Sequence, residues 1–172
     1  PETEELVEFI LKETSNFQLP ASSLNILDIG TGTGCIPISL KANLPQANVS
    51  AIDISEKALE VAKRNAASNK AEINFIQANI LEVQDLNQHF DIIVSNPPFY
   101  SEDYKTDNEQ RDLARFQDAM PFEDLVEAAD LLLSEKGIFS VIIPFKEKEK
   151  FIALAKEFEL YPFKITHVKG TP

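Results

Sequence analysis

Apolar residues along this chain alternate between short runs and stretches spaced at three and four residues. That switching predicts strands alternating with helices, the pattern of an α/β domain with a largely parallel sheet. Leu6, Phe9 and Ile10 at helical spacing predict a first helix that stops before the polar loop at 15–20. Leu24 to Ile29 form an apolar run that ends at a Gly-rich turn, followed by a helix from Cys35 to a stop at Pro45. Pro37 fits that helix only in its first turn, where a missing N–H is harmless. Val49–Ile54 repeats the strand pattern, with Ser55 as N-cap and Ala58, Leu59, Ala62 and Ala66 as the buried stripe of the next helix. Further strands are expected at 73–76 and 90–95, a helix at about 121–133, a turn at 135–137 and a strand at 138–143. A helix at 146–158 and a last strand at 161–168 complete the chain. The stripe Leu125, Ala128, Ala129, Leu132 and Leu133 reads as core. The polar stretch 101–118 has no periodicity, and its length suggests a functional loop.

With 172 residues the expectation is one domain over 1–172, large enough to hold a core without staples. One cysteine, Cys35, excludes an intrachain disulfide framework. No apolar run reaches the ~20 residues that cross a bilayer, and the first residues carry acids rather than a basic leader, so a cytoplasmic location is expected. The formal charge of −12 argues against binding nucleic acid over the whole surface. The charge is uneven: residues 145–172 carry a net +2 and the first 144 carry −14. Lysines 146, 148 and 150 alternate with Glu147 and Glu149, as on a solvated helix face. Any nucleic acid must therefore bind locally.

Chemistry gathers where the strands end. Asp28-Ile29-Gly30-Thr31-Gly32-Thr33-Gly34 follows the first strand, and glycines there let the backbone turn sharply and approach a ligand. A dinucleotide fingerprint needs a third Gly at position 35, which is Cys35, so a nicotinamide-dependent oxidoreductase is disfavoured. Asp53 ends the second strand 23 residues after Gly30, where an acid can accept both hydroxyls of a ribose. Asn96-Pro97-Pro98-Phe99 ends a later strand. The Asn96 side chain and the Pro97 carbonyl offer two acceptors to one planar –NH2, and Phe99 offers a flat face to a base or amide.

The G-x-G-x-G spacing after an acid, joined to N-P-P-F, resembles class I S-adenosylmethionine-dependent methyltransferases that act on planar amine nitrogens. Residues 1–66, with PETEELV, ILDIGTGTGCI and AIDISEKALEVAKRNA, resemble release-factor glutamine N5-methyltransferases of the HemK type. Residues 90–172, with SNPPFY, RDLARFQDAMPFEDLVEAADLLLSEKGIFSVIIP and VKGTP, resemble bacterial methyltransferases of adenine N6 beside the anticodon of a valine tRNA. A recombined chain would show such a mixture. The resemblance implies a Rossmann-like fold with helices on both faces of a mostly parallel sheet, and S-adenosylmethionine as cofactor. It implies that Asp28, Gly30, Thr31, Gly32 and Gly34 face its methionine portion, Asp53 its ribose and Ile54 its adenine. Asn79 stands where these families commonly have an acid, and it is either an adenine contact or a loop residue. Asn96, Pro97 and Phe99 are the expected catalytic residues, with Asn96 also near the cofactor.

The acceptor side is expected from Pro98, Tyr100, Arg111 and Arg115, the two arginines being either phosphate ligands or partners of Asp107, Glu109 and Asp118. Phe99 in place of the tyrosine usual in glutamine methyltransferases favours tRNA as acceptor, with a peptide chain release factor as the alternative. His89 and His167 are isolated, so no metal is expected. Cys35 is expected to be a small core residue. Such methyltransferases have seven strands, whereas six are read here, which predicts an open sheet edge on a monomer that a second chain could pair with. An inactive cofactor-binding core is the rival without chemistry.

Overall fold

The computed structural model describes residues 2–14, 23–97 and 120–168. Helix α1 (Glu2–Thr14) precedes strand β1 (Asn25–Ile29), helix α2 (Cys35–Asn43), strand β2 (Asn48–Asp53), helix α3 (Glu56–Ser68) and strand β3 (Asn74–Gln77). A 3-10 segment, Ile80–Leu86, leads to strand β4 (Phe90–Ser95). Helix α4 (Phe122–Leu132), strand β5 (Leu133–Val141), a 3-10 turn (Phe145–Glu147) and helix α5 (Lys148–Glu157) follow. The five strands form one sheet in the order β3-β2-β1-β4-β5, and every pairing is parallel. The architecture is α/β and Rossmann-like, as the alternating periods predict.

Local chemistry sets the element boundaries. Ser55 caps α3 by accepting a hydrogen bond from the Ala58 amide at 3.3 Å, with Glu56 in the first turn favouring the helix dipole. Pro37 is the third residue of α2, among the first amides that have no partner within a helix. Two apolar layers cover the sheet. On one face Leu6, Val7 and Ile10 of α1 and Ile36 and Leu40 of α2 pack on Ile26, Val49, Ile92 and Val94. On the other, Leu125, Ala128, Ala129 and Leu132 of α4 pack on Leu27, Ile29, Ile52 and Ile93. Phe151 and Ala155 then seat α5 against Phe122 and Val126 of α4.

Three expectations are corrected. Strand β5 begins at Leu133, straight after α4, and takes in the expected turn at 135–137. Phe90 pairs with Leu133 and Ile92 with Ile138, so the residues between are accommodated as a bulge in the ladder. Asp91 clamps this region, accepting from the Asn25 amide at 2.9 Å and from the Ser134 hydroxyl at 3.2 Å. Second, residues 161–168 form no strand. Their alternation is real, with Tyr161, Phe163 and Ile165 exposed, but alternation sets side-chain direction and only a partner backbone makes a strand. The segment lies along α1 instead, with Phe163 6.3 Å from the Phe9 ring and Lys164 4.3 Å above it. A groove of about 1640 Å³ separates the segment from β5. Third, Cys35 is exposed, because it opens α2 on the rim and its Sγ lies 3.3 Å from the Thr33 hydroxyl.

Candidate functional site

Because every strand runs the same way, the carboxyl ends of β1 to β5 lie on one rim, where open α/β sheets hold their ligands. The Gly loop leaves β1 there, Asp53 and Ile54 leave β2, Asn79 follows β3 and Asn96 follows β4. The register holds these ends level: Ile29 pairs with Ile52 on one side and with Ser95 on the other. Four hydrogen bonds fix the rim. The Gly30 and Thr31 amides both donate to the Ile52 carbonyl, at 2.9 and 3.0 Å. The buried Ser95 hydroxyl donates to the Ile29 carbonyl at 2.7 Å, and the Ile142 amide donates to the Ser95 carbonyl at 3.1 Å.

The loop itself needs its glycines. Gly30, Gly32 and Gly34 have φ of +73°, +55° and +81°, a region that L side chains rarely enter. A Cβ on Gly34 would also lie 3.1 Å from the Ala62 Cβ, so this glycine lets α2 approach α3. Asp53 staples the loop, accepting from the Gly32 amide at 2.8 Å through Oδ2 and from the Ser55 amide at 2.9 Å through Oδ1. Each carboxylate oxygen keeps a further lone pair for a hydroxyl. Ile54, beside it, is 67% exposed, an apolar side chain with open space over the rim. Asn79 accepts from the Leu81 amide at 3.1 Å and so caps the 3-10 segment, which gives its amide oxygen a structural task.

Asp28 is the anomaly. Its side chain is 1% exposed, and neither carboxyl oxygen has a hydrogen-bond partner. Burial pushes its pKa up to about 7, the Asp53 charge adds to the rise, and the nearby Thr31 hydroxyl offsets part of it. Thr31 Oγ is likewise buried without a partner in bonding geometry. Buried polar groups are normally satisfied, so this pair fits a ligand that brings donors of its own.

Asn96 is exposed at the end of β4, and its Nδ2 donates to the Thr3 hydroxyl of α1 at 3.4 Å. One N–H of the amide is thereby engaged, and an amide oxygen can serve as an acceptor. Pro97 follows, buried. Pro98, Phe99, Tyr100, Arg111 and Arg115 lie outside the described residues. Three residues that sequence reading missed support the rim. Asn65 donates to the Thr33 carbonyl at 2.9 Å, Thr3 holds Asn96, and the Met120 methyl would stand 3.3 Å from a Cβ on Gly30. Their only signal was indirect, Asn65 on the face of α3 opposite its charges and Thr3 within PETEE. Among the described residues no cluster of His, Cys, Asp and Glu is arranged to hold a metal, and no helix is long and apolar enough to cross a membrane.

Residues 8–164 match the family model described as methyltransferase small domain. The chain belongs to that family. A tRNA1(Val) (adenine(37)-N6)-methyltransferase of Flavobacterium johnsoniae is 59% identical over 151 residues, covering 86% of this chain and 64% of the relative. A release factor glutamine methyltransferase of Flavobacterium psychrophilum is 61% identical over 100 residues, 58% of this chain and 34% of the relative. The chain thus spans under two thirds of the length of each. Among solved structures, a ribosomal protein L11 methylase of Lactobacillus delbrueckii subsp. bulgaricus superposes with a TM-score of 0.65 at 24% identity, over 91% of this chain and 68% of that one. At that identity the likeness speaks for the fold alone.

Proposed function

We propose that this chain is the catalytic domain of an S-adenosylmethionine-dependent N-methyltransferase that acts on N6 of an adenine in tRNA. The observation that carries the reading is the buried, unpartnered Asp28 carboxyl under the Gly loop, on the same rim as the exposed Asn96. A carboxylate with two orphan oxygens suits the ammonium of an amino-acid ligand. Asp53 retains lone pairs for ribose hydroxyls, and Ile54 offers an apolar face to a base. These residues fit S-adenosylmethionine, which when bound supplies an electrophilic methyl on a sulfonium.

The chain's own part is positioning. The Asn96 oxygen and the Pro97 carbonyl accept the two N–H bonds of the acceptor amine, which turns the nitrogen lone pair toward the methyl. Thr3 holds the Asn96 amide in the orientation this requires. Since the methyl is already activated, alignment and exclusion of water serve better than a strong base. Phe99 or Tyr100 would stack on a base splayed from its loop.

For the acceptor, the tRNA methyltransferase relative matches over 86% of the chain against 58% for the release-factor relative, which favours tRNA. The second reading, glutamine N5 of a release factor, draws on the 61% identity of that shorter match. A tRNA acceptor implies a cytoplasmic site of action. Transfer of radiolabelled methyl from S-adenosylmethionine, run in parallel with unmodified tRNA and unmethylated release factor, tests this. Label in tRNA supports the proposal; label in release factor alone replaces it with the second reading; cofactor binding without transfer leaves an inactive core.

A further inference from the structure

We infer that Phe145 and Lys148 form a second nucleotide subsite on the acceptor side, where a base of single-stranded RNA next to the target adenine stacks on the Phe145 ring and its phosphate meets the Lys148 ammonium. The inference rests on the tRNA reading given above.

Strands β4 and β5 run in parallel, Ser95 pairs with Val141, and the Ile142 amide donates to the Ser95 carbonyl. Asn96 and Phe145 therefore leave the same rim from adjacent strands. Strands lie about 4.8 Å apart, and three residues of chain span at most about 10 Å. Those bounds keep Phe145 within reach of a nucleotide adjoining one held at Asn96, and both residues line the same groove.

Phe145 is 71% exposed, so its ring adds little to the core. The tight turn after Pro144, closed by the Glu147 amide donating to the Pro144 carbonyl at 2.9 Å, holds it outward. Among the described residues nothing stacks flat on the ring: His167 meets it at 87° with centroids 5.1 Å apart. The Lys148 ammonium lies over the ring, 5.7 Å from its centroid, which leaves the opposite face for a base; it also pairs with the exposed Glu149 at 3.0 Å, a contact that a phosphate can replace. An exposed ring with a lysine on one face is a pairing that single-strand binders use, the free face for a base and the cation for the backbone. The chain is acidic overall and its small basic excess falls in 145–172, so Lys148 lies in the segment least repulsive to a nucleic acid.

The test is steady-state methylation of unmodified tRNA by the full chain and by Phe145→Ala, Phe145→Tyr and Lys148→Ala, with cofactor affinity by calorimetry and folding by circular dichroism. Phe145→Ala is expected to raise KM for tRNA about tenfold, with kcat and cofactor affinity unchanged, and Phe145→Tyr to restore it. Lys148→Ala is expected to reduce the slope of log affinity against log salt by about one. If the parent protein methylates tRNA and Phe145→Ala keeps its KM, the subsite is wrong and the tRNA reading stands. If the parent methylates only release factor, both fall.

Discussion

At the scale of single residues, two side chains carry opposite kinds of information. Asp28 titrates at about 7 in the fold because it is buried, against 3.8 for an ordinary Asp. A carboxyl whose pKa rises on folding favours the folded state below pH 4, and that contribution is lost as pH climbs from about 4 through 7. The ligand-free protein should therefore lose stability over that window, by on the order of 4 kcal/mol. Asp28→Asn should flatten that slope and raise the melting temperature at pH 8, which thermal melts across a pH series will show. The same substitution removes the charge that suits an ammonium, so calorimetry should find S-adenosylmethionine binding at least about tenfold weaker. On the proposed reading Asn96 holds the acceptor. Asn96→Ala should lower kcat about 100-fold by misplacing the acceptor, while the cofactor dissociation constant stays within about threefold. Equal losses in both would assign Asn96 to cofactor binding instead.

Individual elements show where sequence pattern ends and packing begins. Ser55 was legible as an N-cap because the cap is local: one hydroxyl, one amide three residues on. The start of strand β5 at Leu133 was not, because its bulge exists only against β4. Gly137 sits in that bulge, and a Cβ there would come 2.7 Å from the Leu133 Cγ and 3.0 Å from the Ser134 carbonyl oxygen. Gly137→Ala should destabilise the fold by about 1–3 kcal/mol, read as a lower urea midpoint with an unchanged m-value. Residues 161–168 make the complementary point. Their period-two pattern is that of a strand, yet they lie across a groove from β5, and Lys164 sits 3.6 Å from Glu13 of α1.

For the whole molecule, charge decides how an acceptor arrives. A formal charge of −12 repels a polyanion at long range, and residues 145–172, with six lysines and a net +2, are the segment that opposes it. Raising salt from 50 to 200 mM should weaken tRNA binding by an order of magnitude or more if three phosphates are neutralised. Cofactor binding, which on the proposed reading uses buried and rim groups at short range, should change little. Filter binding for tRNA and calorimetry for the cofactor, at matched salt, separate the two. A salt-insensitive tRNA affinity would count against the basic segment as the contact.

The sequence by itself determined the α/β class, four of the five strands closely, the Gly loop with Asp53 behind it, and Asn96 at a strand end. Those features are written in short windows: a period of two or three to four residues, glycines where φ must be positive, a cap one turn from its amide. Tertiary structure alone decided that the Asp28 carboxyl is buried without a hydrogen-bond partner, that Cys35 faces solvent, and that Asn65 and Thr3 hold the rim. Each depends on which distant backbone comes to lie beside it. A sequence pattern records a residue's own preference, whereas burial, pairing and unmet hydrogen bonds belong to the neighbours the fold supplies.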